Sequence, residues 1–352
     1  EGTEIELKYG EELNKKGMVD QSEIGKFVAN APFQTDKYIL KGDGVETWQP
    51  RFVYHGFQYV EVHGFPGTPT VENLTAVAVN TSFQPAGEFS CSNELFNSIQ
   101  HSTLWSFMNN YVGYPTDCPQ REKNGWTGDA QLAAEAGLFN FDARTSYIKW
   151  MRDIVDEQKP SGEFAAIIPT AGWGYYWGNG PAWDSAFLLI PWYIYLYTGD
   201  DSIIKENYEP MKRYVDFLTR EKSKDGIVSW GLGDWCPAKT KTPSEITSTA
   251  YYFVDAQLMQ KFAQIVGNFN DAKKYADLAT SIRSAFISKF VDSKTGAVGN
   301  DSQTALGCAL YQGLAPDALV ETIVDKLAEN VKANGNKLDY GILGSKYVPN
   351  AL

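Results

Sequence analysis

Histidine is nearly missing: His55, His63 and His101 are the only three in 352 residues. They are too few and too scattered for a histidine-based metal site or an obvious Ser-His-Asp triad. Cysteine is scarce too. Cys91, Cys118, Cys236 and Cys308 lie far apart without metal-ligand spacing, and read as free thiols, with one disulfide left open. No metal and no cofactor is implied. No apolar run reaches about 18 residues, so no transmembrane helix is expected. Basic charge is in deficit, with 31 Lys and Arg against 43 Asp and Glu and a formal net charge of -12. That argues against nucleic acid and against an anionic membrane surface as partners, and neutral substrates fit better. The first residue is Glu1 rather than methionine and no signal-peptide pattern follows, so an upstream segment is expected.

Aromatic residues are what the chain has in excess, with 10 Trp, 20 Tyr and 19 Phe. Many belong in cores, but tryptophans beside Gly, Asp and Asn in loops also suit stacking on sugar rings. Residues 1–90 read as β-structure, part of an antiparallel β-sandwich. Thr3–Tyr9 and Lys37–Lys41 alternate polar and apolar residues, and Phe52–His63 is a long β-branched and aromatic run. His55 and His63 fall in that run and are read as structural. Near Ser90 the period changes. Leu95, Phe96, Ile99, Thr103 and Phe107 recur at helical spacing after Ser92, a candidate N-cap. Helices are expected over about 129–139, 143–158, 182–198, 201–221, 247–266, 270–290, 301–313 and 316–333, with another beginning at Ile342. Helix pairs without intervening strands suggest a toroid or solenoid of α-hairpins. The toroid is preferred because acidic and aromatic residues fall in alternate connections. The domain reading is therefore a partial β-sandwich over 1–90 and a partial (α/α)6 barrel over 91–352.

Pro115–Gln131, reading PTDCPQREKNGWTGDAQ, carries the densest chemistry. Prolines 115 and 119 and glycines 125 and 128 oppose a continuous helix, whereas the residues after Gly128 are strong helix formers. The segment is thus a loop that delivers Asp117, Arg121, Glu122, Trp126 and Asp129 and then enters a helix. Glycoside hydrolysis needs two carboxyl groups, one to protonate the leaving oxygen and one to activate water or attack the sugar. Glu122 is the candidate acid. Burial beside Trp126 would raise its pKa and Arg121 and Lys123 would lower it. Asp129, in a first helical turn, suits acceptance of hydrogen bonds from hydroxyls, and Asp117 can do the same or bind Arg121. Individually each residue has an ordinary explanation, as a helix cap or a solvated ion pair.

Two more loops are of the same kind. Gly172–Asp184 carries Trp173, Trp177, Trp183 and Asp184, and Trp230–Trp235 carries Asp234 and Trp235. Tryptophans can simply plug the ends of helix pairs, but an acid beside an indole, as at Trp183–Asp184 and Asp234–Trp235, also suits ligand contact. Trp105, Trp150 and Trp192 sit in helical patterns and read as core.

The string Asp117–Gln131 strongly resembles the signature of bacterial α-L-rhamnosidases of glycoside hydrolase family 78. The resemblance extends through the β-region, Trp183–Asp184 and Gly233–Trp235. It implies an (α/α)6 catalytic barrel preceded by β-sandwich domains, and inverting hydrolysis of terminal α-L-rhamnosides. Carried over by position, Glu122 resembles the general acid. Asp117, Arg121, Trp126 and Asp129 resemble rhamnose-binding residues, joined by Asp234 and Trp235. The family's general base is a glutamate in a late barrel loop. Glu245, Glu321 and Glu329 stand in ordinary helical contexts, so the base is expected beyond Leu352. Two rivals remain at this level. One is a non-catalytic carbohydrate-binding protein, and the other is a trehalase-like or glucoamylase-like (α/α)6 enzyme.

Overall fold

A computed structural model describes residues 1–22, 24, 33–170, 172–175, 177 and 179–352. The chain forms two compact units, one from residues 1–82 and 89–124, the other from 83–88 and 125–352.

In the first unit, strand β1 (Glu4–Gly10) lies between two antiparallel partners, β4 (Thr35–Ile39) and β5 (Tyr59–His63). Strands β2 (Glu12–Leu13) and β3 (Val19–Asp20) form a separate pair. Register sets Lys37 opposite Glu6 and Lys8 opposite Glu61, so opposite charges face each other across the sheet, each pair contributing at most about 1 kcal/mol. The run Phe52–His63 is strand only from Tyr59. Its first half is engaged otherwise. Gly56 gives its carbonyl to Gln34 Nε2 at 2.6 Å. His55 stacks on Tyr9 at 4.2 Å and joins Gln34 Oε1 to Asp36 Oδ2 at 2.9 and 3.0 Å. Helix α1 (Glu94–Asn109) is capped by Asn93, whose side chain accepts the Leu95 N–H at 3.0 Å, one residue later than the Ser92 expected.

The second unit is helical. Its long helices are α2 (Thr127–Asn140), α3 (Arg144–Asp156), α5 (Ala186–Thr198), α6 (Ser202–Phe217), α7 (Ser244–Ile265), α8 (Phe269–Phe290), α9 (Gln303–Tyr311), α10 (Val320–Ala333) and α11 (Gly344–Ala351), with a single turn α4 (Pro181–Asp184) before α5. The helices sort into two kinds. α3 buries Tyr147, Trp150, Met151 and Ile154, one stripe at helical spacing, and α10 buries only Ile323 and Leu327. These are outer helices, with one face in water. α7 buries Ile246 through Phe253 without a break, and α5 buries Ala186 through Pro191 likewise. Such runs are covered on every side. Alternate helices are accordingly neighbours: α2 packs on α5, α5 on α7, α7 on α9 and α9 on α11. This is the two-layered order of an (α/α)6 toroid. A tight hairpin, β6 (Ser223–Lys224) and β7 (Ile227–Val228), interrupts the pattern after α6. Its turn, Asp225–Gly226, is left-handed at both positions with φ of 52° and 81°, a legible hairpin signal.

The inner layer holds carboxyl groups away from water. Asp255 in α7 is 0 % exposed and its Oδ2 accepts the Ser185 hydroxyl at 2.9 Å. Burial pushes its carboxyl well above the usual range, against the opposing Ser185 hydrogen bond. The folded protein therefore keeps a proton that the unfolded chain releases above about pH 4. Stability from this group is greatest below that point and falls as pH rises toward the raised folded value, by about 1.4 kcal/mol per pH unit. Asp255→Asn is expected to remove that slope. Denaturant unfolding of both proteins from pH 4 to 7 checks this, and equal slopes would exclude a protonated Asp255.

Candidate active site

In the first unit Pro115–Asn124 is folded back on itself. The Asp117 N–H donates to the Asn124 carbonyl at 3.0 Å, and the Asn124 N–H donates to Asp117 Oδ1 at 2.9 Å. Inside this closure the Cys118 thiol donates to Asp117 Oδ2 at 2.7 Å and its sulfur accepts the Glu122 N–H at 3.3 Å. The Lys123 N–H reaches the Cys118 carbonyl at 3.2 Å, and Lys123 itself is left-handed with φ 56°. The β-region braces the loop from outside. Lys123 Nζ donates to the Tyr54 carbonyl at 2.8 Å and to Gln34 Oε1 at 3.2 Å, with the rings of Phe33 and Tyr54 5.0 and 5.2 Å away. Gln120 Nε2 donates to Glu11 at 2.9 Å. Gly56 lies so close that a Cβ there would stand 2.8 Å from the Gln120 nitrogen. Arg121 and Glu122 are half-buried between these anchors.

Burial raises the pKa of Asp117, and the nearby Glu122 charge adds to it, while the thiol and the Asn124 N–H oppose. The Cys118 thiol is pushed up to about 11 by burial and by its bond to Asp117. Burial lowers the Lys123 pKa, with Asp36 opposing.

In the second unit the chain continues through Gly125, whose carbonyl accepts the Ile168 N–H at 2.8 Å, and Thr127, whose N–H donates to the Ala166 carbonyl at 2.9 Å. This short antiparallel bridge sets Trp126 directly before α2, with Asp129 in its first turn. Trp126 meets Trp177 edge-on at 6.3 Å, and Trp177 meets Trp173 at 5.7 Å. Trp177 is 47 % exposed. Between Trp173 and Trp177, Tyr175 holds the loop down by donating to the Glu157 carbonyl under the Lys159 ammonium.

Trp183 lies flat against Gly128, where a Cβ would stand 2.6 Å from the indole. Trp183 and Asp184 are both only 2 % exposed. Asn179 Nδ2 donates to Asp184 Oδ1, and burial pushes the Asp184 carboxyl well up. Asp234 is buried as well, and protein donors occupy it. Oδ1 accepts the N–H groups of Leu343 and Gly344 at 2.9 and 3.1 Å. Oδ2 accepts the Gly341 N–H at 2.8 Å and the Thr304 hydroxyl at 2.5 Å. The neighbouring Trp235 is 56 % exposed, and its carbonyl takes the Ile342 N–H at 2.9 Å.

Sequence reasoning placed Asp117, Arg121 and Glu122 in one loop, and the structure puts them inside one closed turn of the first unit. Within the second unit, Trp126, Asp129, Trp183 and Asp184 gather where α2 and α4 begin. Asp234 and Trp235 stand before α7, and grip the turn that starts α11. The sugar contact expected of Asp234 meets a carboxylate already filled by four protein donors, so its visible work is to hold residues 341–344. Trp183 and Asp184, expected at the ligand, form a floor closed to solvent. By sequence Cys118 reads only as a free thiol, yet it ties Asp117 to Glu122. Its position four residues before Glu122 in a Pro-bounded loop was the signal available. All four cysteines are free.

Residues 84–352 match the family model described as the bacterial alpha-L-rhamnosidase six-hairpin glycosidase domain, and residues 1–80 that of the bacterial alpha-L-rhamnosidase concanavalin-like domain. The chain belongs to the bacterial α-L-rhamnosidase family. An α-L-rhamnosidase of Streptomyces avermitilis is 34 % identical over 348 residues, covering 98 % of this chain and 32 % of that protein. One from Formosa agariphila is also 34 % identical, covering 91 % of this chain and 36 % of its own. Among solved structures, the α-L-rhamnosidase of Dictyoglumus thermophilum superposes with a TM-score of 0.91 at 40 % identity, covering all of this chain and 40 % of that one. The Streptomyces avermitilis α-L-rhamnosidase complexed with L-rhamnose superposes with a TM-score of 0.92 at 32 % identity, covering all of this chain and 33 % of that one. The chain thus spans roughly a third of the length of the curated relatives named here.

Within this rhamnosidase fold Asp234→Ala would leave three buried N–H groups without their acceptor. A loss of about 3–5 kcal/mol is expected, as for other buried charged partners, with Asp234→Asn costing less because an amide oxygen can keep one pair of donors. Chemical denaturation of the two variants checks this, and an alanine variant as stable as the parent would refute the holding role.

Proposed function

We propose that the protein is a glycoside hydrolase that releases terminal α-L-rhamnose from rhamnosides by single displacement, with Glu122 as the general acid. The observation that carries the reading is the closed turn itself. It fixes Glu122 beside Asp117, on a loop braced by Lys123 and Gln120. Membership of the rhamnosidase family supplies the substrate class, and the rhamnose complex of the Streptomyces avermitilis relative supports it.

In this reading Glu122 gives its proton to the glycosidic oxygen as the bond to C1 of rhamnose breaks. A water adds to the opposite face of C1, and its proton passes to a second carboxylate. Inverting pairs stand about 6.5–9.5 Å apart to admit that water. That second carboxylate is not assigned to Glu245, Glu321 or Glu329. Glu245 is paired with Lys289 at 2.7 Å, and Glu321 and Glu329 are exposed on the outer helix α10. Asp117 and Arg121 in the first unit, and Trp126, Asp129 and Trp235 in the second, are proposed as rhamnose-binding residues. Trp183, Asp184 and Asp234 are proposed to act within the second unit, by fixing its loops. Neither an additional cofactor nor a nucleic-acid or membrane partner is part of this reading.

Two measurements on the complete protein test it. Proton NMR of an aryl α-L-rhamnoside during hydrolysis is expected to show β-rhamnose first; α-rhamnose as the initial product would overturn single displacement. Glu122→Gln is expected to lower kcat on a poor leaving group by about 10²–10⁴-fold, and turnover near that of the parent would remove Glu122 as the acid.

A further inference from the structure

We infer that Cys118 is a positioning residue for the proposed acid, a thiol clasp that sets the backbone of Glu122 and the carboxylate of Asp117 in one fixed arrangement. This rests on Glu122 being the proton donor. Three contacts define the clasp. The sulfur accepts the Glu122 N–H at 3.3 Å, the thiol donates to Asp117 Oδ2 at 2.7 Å, and the Cys118 carbonyl accepts the Lys123 N–H at 3.2 Å. Asp117 is held from the other side by the Asn124 N–H at 2.9 Å. One small side chain therefore serves as donor and acceptor at once, between the two acidic residues of the turn.

The residue type follows from what the place requires. Prolines 115 and 119 bring no N–H to the loop, so the closure depends on few donors, and a side chain at 118 must supply one. The sulfur is large enough to reach both Asp117 and the Glu122 nitrogen, and it is only a weak donor and acceptor. It orders the two groups without adding charge beside them. Burial and the Asp117 contact keep the thiol protonated at neutral pH, so the donor role persists across the working range and no thiolate competes with Glu122 for the proton. Half-buried as it is, Cys118 does not need to touch the substrate to matter. A shift of about 1 Å at a proton donor can cost on the order of 10²-fold in rate.

The test uses leaving groups that differ in their need for a proton. In the complete protein, Cys118→Ala is expected to lower kcat about 10-fold or more on methyl α-L-rhamnoside, whose alkoxide must be protonated as it departs. On 2,4-dinitrophenyl α-L-rhamnoside, which leaves as a stable anion, the change is expected to stay within about threefold. Cys118→Ser, which retains a donor and an acceptor, is expected to recover most of the methyl glycoside rate. Cys118→Val preserves bulk without either function and repeats the comparison should the alanine variant fold poorly. Equal losses on both substrates, or no loss on the methyl glycoside, would overturn the clasp. Glu122→Gln run beside them separates the two readings. If it shows the leaving-group dependence and Cys118→Ala and Cys118→Val do not, the acid stands and the clasp falls. If Glu122→Gln shows no such dependence, the acid assignment fails and the clasp with it.

Discussion

The inner helices of the second unit bury unbroken runs of residues, and this constraint governs where polar chemistry can go. A helix such as α7, buried without a break from Ile246 to Phe253, has no flank to offer a ligand along that run. Its open positions are its ends and the loops that feed them. The candidate residues of this unit obey that rule: Trp126 and Asp129 at the start of α2, Asp184 at α4, Asp234 and Trp235 before α7. Helix N-termini also carry free N–H groups and partial positive charge, which suits loops rich in carboxylates and hydroxyl-bearing ligands. The outer helices have a wet face and a plain amphipathic code, and they contribute no candidate.

Close approach between loops is what turns these ends into one floor. Gly128 lets the Trp183 indole lie on α2, and Gly180, left-handed with φ 71°, lets its loop pass within touching distance of Trp230 and Gly231. Asp184 and Asp255 are sealed from solvent, and burial raises both carboxyls well above the usual range.

How much of this could be read from the sequence depended on the range of each interaction. Helical stripes such as Tyr147, Trp150, Met151 and Ile154 are local, and the outer helices were legible to within a few residues. So were the strand at Thr3–Tyr9 and the entry of the chain into α2 after Gly128. The Phe52–Gln58 run has strand composition but no strand, because its carbonyls and His55 are spent on Gln34, Asp36 and Lys123. Composition says nothing about such partners. The same holds for Asp234. An acid beside an indole looks alike whether it faces a ligand or the N–H groups of a turn more than a hundred residues away. The clasp at Cys118 was local enough to see, but a thiol acting as both donor and acceptor has no signature in spacing alone. The wet face of Trp177, against the sealed Trp183 six residues on, was equally invisible.

The grip of Asp234 on residues 341–344 also has a meaning in time. As the chain is made, the carboxylate emerges long before the four donors that fill it, and until then burying it is costly. Until Gly341–Gly344 is made, three of those four donors are absent. Asp234 thus ties the setting of the loop bearing Trp235 to a turn more than a hundred residues later in the chain.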